Sequence, residues 1–262
     1  MQDEGRAQQE AQRWFVRPEP RPHAEARLFC LPYAGSGAAV YRPWLAQLPA
    51  TLELQIIQLP GRESRLREQP YAHMDALIGV LAPALEGRLD RPYMLFGHSM
   101  GALVAFELVR AMRRRGTPPP ACLAVSGRRA PQLPDPEPAL HQLPDGQFVG
   151  AMVRRYNAIP RVILEDAELL GLFLPTLRAD LALIETYAYT PEPPLDCPIA
   201  AFGGRDDTRA SLADLEAWQA QSARPIGARQ LPGGHFYLQG ERANLVAAIV
   251  ATLGATAGRS FT

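Results

Sequence analysis

Cysteine is scarce in this chain, and neither sign of charge is in excess. The three cysteines, Cys30, Cys122 and Cys197, stand far apart among 262 residues. Odd in number and widely spaced, they form no disulfide framework, and the absence of CxxC or paired histidines removes any metal-ligand spacing. Each lies in or beside an apolar run, where cysteine acts as a small buried hydrophobe, so a reducing, cytoplasmic compartment is expected. Lysine plus arginine number 27, as do aspartate plus glutamate, and this balance offers nothing to nucleic acid. No run reaches the roughly 18 apolar residues of a membrane span, so no membrane association is expected. Residues 1–13 lack the apolar stretch of a secretory leader.

What is present suits one large core: 47% of residues are hydrophobic and 21% charged, ordinary for a globular chain. Five short apolar stretches predict buried parallel strands, at Leu28–Leu31, Leu54–Leu59, Tyr93–Phe96, Cys122–Val125 and Ile199–Phe202. A weaker sixth lies near Ala228–Leu231. Amphipathic runs of helix length stand between most of them, among them Ala76–Leu89 and Ala102–Arg115. This alternation predicts an α/β fold, a mostly parallel sheet with helices on both faces.

The alternation fails once. Between the fourth and fifth strands the chain is too long for a single crossover. It begins with a proline-rich stretch, Arg128–Gln147, and continues as helices expected at Phe148–Arg155, Glu165–Leu174 and Thr176–Tyr187. Pro175 is placed in the first turn of the last of these, where a missing N–H costs nothing. Such an insertion beside the edge of a sheet predicts a helical lid over 131–187, with the core formed by 25–130 and 188–255. Residues 1–24, with Pro18, Pro20 and Pro22, are expected to be flexible.

One stretch points to chemistry. "LFGHSMGALVAFEL" passes from an apolar strand through Gly97-His98-Ser99-Met100-Gly101 straight into a helix. GxSxG alone is a weak pattern, but between strand and helix it describes a nucleophile elbow, with Ser99 on a strained apex and glycines where side chains would clash. A serine hydroxyl needs a base, and the base needs an orienting carboxylate, expected in the order Ser, Asp, His after late strands. "IAAFGGRDD" supplies Asp207, with Asp206 as the alternative, and "LPGGHFYL" supplies His235. His98, inside the elbow, is expected to help hold the turn. The oxyanion donors are expected to be the backbone N–H of Met100 and, from the loop "LPYAGSG", that of Ala34.

With these motifs in hand, the chain resembles the type II thioesterases, the discrete editing α/β-hydrolases of nonribosomal peptide and polyketide synthesis. "LPYAGSGAAVYRPW", "IQLPGRESR", "LFGHSMGALVAFEL", "LRADLALIETY", "FGGRDD" and "LPGGHFYL" occur in that family's order. Thr208 stands where the family often has proline. The resemblance implies Ser99 as nucleophile, Asp207 as orienting acid and His235 as base. It implies hydrolysis of acyl thioesters on the phosphopantetheine arm of acyl or peptidyl carrier domains, freeing blocked synthases. It also implies a monomer that needs no metal and no cofactor of its own, because the substrate carries the phosphopantetheine. Carrier domains are usually acidic, which makes Arg128-Arg129 a candidate contact. Arg113-Arg114-Arg115 reads as a complement to its helix dipole. A carboxylesterase or lipase, or an acyltransferase, would use the same triad.

Overall fold

Strands that are apolar on both faces have to be covered on both faces, and that requirement organises the molecule. The computed structural model describes residues 12–156, 159–259 and 261. Seven strands form one sheet: β1 (Phe15–Val16), β2 (Ala26–Leu31), β3 (Leu52–Ile57), β4 (Tyr93–His98), β5 (Cys122–Ser126), β6 (Ile199–Gly204) and β7 (Gly227–Leu231). Their order is β1-β3-β2-β4-β5-β6-β7, parallel throughout except for β1, which runs antiparallel to β3. All six expected strands are present within two or three residues of their expected ends.

Alternation along each strand divides the core. Phe29 and Leu31 of β2 face one side, where they pack with α1 (Met74–Glu86) and α2 (Met100–Arg114). Leu28 and Cys30 face the other, where Tyr41, Trp44, Leu245, Val246 and Ile249 close over them. Each large apolar side chain buried this completely contributes about 1.5–3 kcal/mol relative to exposure. The three cysteines are free and buried, as their apolar surroundings predict.

The insertion between β5 and β6 is helical: α3 (Asp145–Tyr156), α4 (Arg161–Leu164) and α5 (Ala167–Glu185). It forms a small core of its own, with Phe148, Met152, Leu174, Leu177 and Leu181 buried together. Two short helices, α6 (Leu212–Glu216) and α7 (Tyr237–Gly240), precede α8 (Arg242–Ala257), which covers the second face.

Two expectations fail. Residues 12–24 are not a loose tail: Phe15 and Val16 pair with Ile57 and Ile56, and Trp14 is buried. Two residues of strand carry too little periodicity to be seen in a sequence. Residues 1–11, the rest of that expectation, lie outside the described residues. Nor does Pro175 open a helix, because α5 runs through it. The carbonyl that Pro175 deprives of its amide belongs to Gly171, an exposed residue where solvent can serve as its partner, which lowers the usual cost of an interior proline. The same device recurs in α1, where Pro83 stands four residues after exposed Gly79.

Candidate active site

Ser99 occupies the turn between β4 and α2 with φ 52° and ψ −111°. A side chain in that region of backbone space is strained, and the strain persists only because its surroundings enforce it. Those surroundings exclude any other residue from the flanking positions. A Cβ at Gly97 would lie 2.0 Å from the Gly101 carbonyl oxygen, and one at Gly101 would lie 2.3 Å from the carbonyl oxygen of Leu31. The Ser99 N–H donates to the Ser126 carbonyl at 2.8 Å, tying the apex to the neighbouring strand. Beyond the apex, α2 begins at Met100, whose amide has no carbonyl to reach within its own helix.

The loops after β6 and β7 are joined by backbone hydrogen bonds from Arg205 N–H to Leu231 and from Asp206 N–H to Gly233, at 2.8 and 3.0 Å. This seam brings Asp207 Oδ2 to 2.9 Å from His235 Nδ1. The other carboxylate oxygen accepts from the Arg209 N–H at 2.9 Å, and the Asp207 side chain is fully buried. Asp206 is exposed, and the partner of His235 Nδ1 is Asp207. With Nδ1 held, His235 presents Nε2 to the cavity it shares with Ser99. Ser99 and His235 line that space together, with no direct hydrogen bond between them among the described residues.

His98 holds the turn, and through partners that the sequence did not reveal. It is wholly buried, with Nδ1 2.9 Å from Ser126 Oγ, which lies 2.7 Å from the Tyr237 hydroxyl. Burial, reinforced by neighbouring His235, lowers its pKa well below the ordinary histidine value, so it stays neutral. The chain His98–Ser126–Tyr237 thus joins the elbow, the end of β5 and the start of α7.

Ser99 stands between two compartments of opposite character. One, a cavity of about 100 Å³, is polar and lined by Arg128, Asp135, Glu137, Thr208 and Arg209. The other, about 20 Å³, is apolar: Tyr33 and Ala34 come from the loop after β2, Phe236 follows His235, and Met152, Leu181 and Ile184 reach in from the insertion. Its present volume admits about one water. Ala34 is therefore placed beside Ser99, as expected, and its N–H makes no hydrogen bond among the described residues.

The arginine pairs are not free surface cations. Arg129 donates to Asp214 and to the Pro134 carbonyl, both at 2.8 Å. Arg128 is half-buried and turned into the polar cavity. Arg113 and Arg114 bind Glu192, and Arg115 binds Glu86. Arg129 is thus paired with Asp214, while Arg128 lines the polar cavity beside Ser99. No cluster of residues able to hold a metal occurs among the described residues, and none of their helices is long and apolar enough to cross a membrane.

Known proteins carry the same architecture. The thioesterase domain family matches residues 26–254. The gramicidin S biosynthesis protein GrsT of Aneurinibacillus migulanus is 41% identical over 226 residues, covering 86% of this chain and 88% of that protein. The type II thioesterase BorB of the borrelidin biosynthetic cluster superposes with a TM-score of 0.83 at 36% identity, covering 92% of this chain and 98% of that one. RedJ, a thioesterase of the prodiginine pathway in Streptomyces coelicolor, gives 0.83 at 40% identity, covering 90% and 94%. These likenesses bear out both the α/β-hydrolase fold and the resemblance to type II thioesterases read from the motifs. A match running from β2 into α8 takes in six of the seven strands, and this chain belongs to the thioesterase family, whose chemistry is thioester hydrolysis.

Proposed function

We propose that this chain removes stalled acyl groups from the phosphopantetheine arm of carrier domains in nonribosomal peptide or polyketide synthesis, with Ser99, His235 and Asp207 as its catalytic triad. The observation that carries the reading is the 2.9 Å bond from His235 Nδ1 to buried Asp207, which leaves Nε2 for Ser99. His235 takes the Ser99 proton as Oγ attacks the thioester carbonyl, and Asp207 stabilises the imidazolium that forms. The oxyanion is held by the N–H groups of Met100 and Ala34, with the α2 dipole behind the first. The C–S bond then breaks, the arm leaves as a thiolate that takes the proton from His235, and the acyl group remains on Ser99. Water, deprotonated by His235, attacks that ester and releases a carboxylic acid.

The two compartments divide the substrate between them in this reading. The polar cavity suits the amides of the arm, and the apolar one suits the acyl chain. Because the apolar compartment holds about 20 Å³, the insertion acts as a lid in which α3, the source of Met152, draws back to admit the chain while α5 stays seated.

The test is to compare one acyl group on a carrier domain with the same group as an aryl ester. The carrier thioester is expected to lead in kcat/KM by about 100-fold or more, the scale that several specific contacts supply. Equal rates, or a lead for the aryl ester, would favour a carboxylesterase. Transfer of the acyl group to an amine or alcohol in preference to water would favour an acyltransferase.

A further inference from the structure

A buried carboxylate in the lid reaches across to the loop that carries Ala34. Asp180, in the middle of α5, is 1% exposed, and its partner Arg62, in the loop after β3, is 6% exposed. The guanidinium grips both carboxylate oxygens, Nη1 to Oδ2 at 2.8 Å and Nη2 to Oδ1 at 2.7 Å. The same Oδ2 accepts the backbone N–H of Gly35 at 2.8 Å, and Arg62 Nη1 also donates to the Ser36 carbonyl at 3.0 Å. Two charge-assisted bonds therefore land on residues 34–36, and two more lock Asp180 to Arg62 behind them.

The loop itself explains why such a hold matters. Residues 33–36 form a turn closed by the Ser36 N–H on the Tyr33 carbonyl at 3.0 Å. Gly35 has φ +74°, the left-handed value that the third position of a type II turn requires. Ala34 occupies the second position, where the N–H takes no part in closing the turn and is free to point at a ligand. A tight turn fixes its own shape but not its orientation against the rest of the protein. That orientation comes from α5: a Cβ on Gly35 would lie 2.8 Å from Phe173 Cζ and 3.1 Å from Leu177 Cδ1. The helix that presses on the loop also supplies Leu181 and Ile184 to the apolar compartment beside Ser99.

We propose that Asp180 is a positioning residue: from the lid helix it holds the Gly35 amide, with Arg62, so that the Ala34 N–H is aimed at the oxyanion only while α5 is seated. The proposal rests on Ala34 being an oxyanion donor, as read above. It makes seating of α5 and assembly of the oxyanion hole one event, so that an unseated α5 means an inactive site. A buried ion pair is weak evidence of stabilisation, since apolar residues of similar volume often serve as well. Orientation of an amide is something apolar residues do not supply.

The test separates positioning from folding. Asp180→Asn is expected to lower kcat about 10- to 100-fold with KM nearly unchanged, somewhat less than the loss of an entire oxyanion donor. Thr176→Val removes the other buried polar tie of α5, the Thr176 hydroxyl to the Gly61 carbonyl at 2.5 Å. It is expected to lower Tm but to leave kcat within about two-fold, because this neutral tie touches no atom of residues 33–36 and the Asp180–Arg62 pair still seats α5. The double variant Arg62→Met with Asp180→Leu is expected to recover much of the Tm lost in Asp180→Asn while kcat stays low. Asp180→Asn losing Tm but keeping kcat, or the double variant regaining both, would overturn the proposal. Ser99→Ala measured alongside tells the two readings apart. If it is inactive, a flat kcat at Asp180 counts against positioning alone; if it is active, the triad reading itself is at fault.

Discussion

The sheet edge that bears Ser99, Asp207 and His235 and the helices that cover it are held by different forces. At the edge many restraints are backbone to backbone: glycines that a methyl group would displace, the Ser99 amide on Ser126, and the seam between the loops after β6 and β7, together with the buried His98–Ser126–Tyr237 side chains. In the insertion they are mostly side-chain packing around Phe148, Met152 and Leu177, and large apolar residues stay outside, with Val162 66%, Leu172 52% and Leu169 41% exposed. In the proposed mechanism the serine tolerates almost no displacement, whereas a lid would have to move. Backbone restraint suits the first and a small separate core suits the second.

Breaking the edge should have the largest effect. Ser99→Ala should lower kcat by about 10⁶-fold with the fold intact, as loss of a triad nucleophile does in serine hydrolases. Steady-state turnover of an acyl thioester measures it, and retention of more than a few per cent of activity would remove Ser99 from the mechanism.

A step below lies the carboxylate pair. Asp207→Asn should reduce kcat by roughly 10⁴-fold, because an amide at that position favours the wrong histidine tautomer. Asp206, exposed and one residue away, should tolerate Asn within a few-fold, as exposed charges contribute about 0 to 1 kcal/mol. Measuring both variants side by side would reverse the assignment if Asp206→Asn showed the greater loss.

The same contrast decides what could be read in advance. The elbow was legible because the strained turn admits only glycine beside the serine, so geometry appears as letters at Gly97 and Gly101. Asp207 was legible because it follows a short strand ending in glycines, and His235 because it follows a short strand and a Gly233-Gly234 turn. Nothing comparable marks Asp180 and Arg62, which are 118 residues apart and meet only through packing. Ser126 and Tyr237 were likewise invisible, since a serine ending a strand and a tyrosine opening a helix are ordinary in themselves. Pro175 misled for the opposite reason: its local signal was real, and tertiary packing with an exposed Gly171 overrode it.

The smallest effect sharpens the comparison without altering catalysis. Amide hydrogen exchange should run faster in α3, α4 and α5 than in β4, because opening a helical cover costs less than disrupting a central strand. Equal protection in the two would make the insertion a fixed part of the core and leave the small apolar compartment without an entrance for an acyl chain.

The central claim is that acyl groups pass through Ser99. The direct measurement is to react the protein with a serine-directed fluorophosphonate and locate the adduct by peptide mass. One adduct is expected, on Ser99, absent in Ser99→Ala and greatly slowed in His235→Ala. Labelling at another residue, or undiminished labelling of Ser99→Ala, would contradict it.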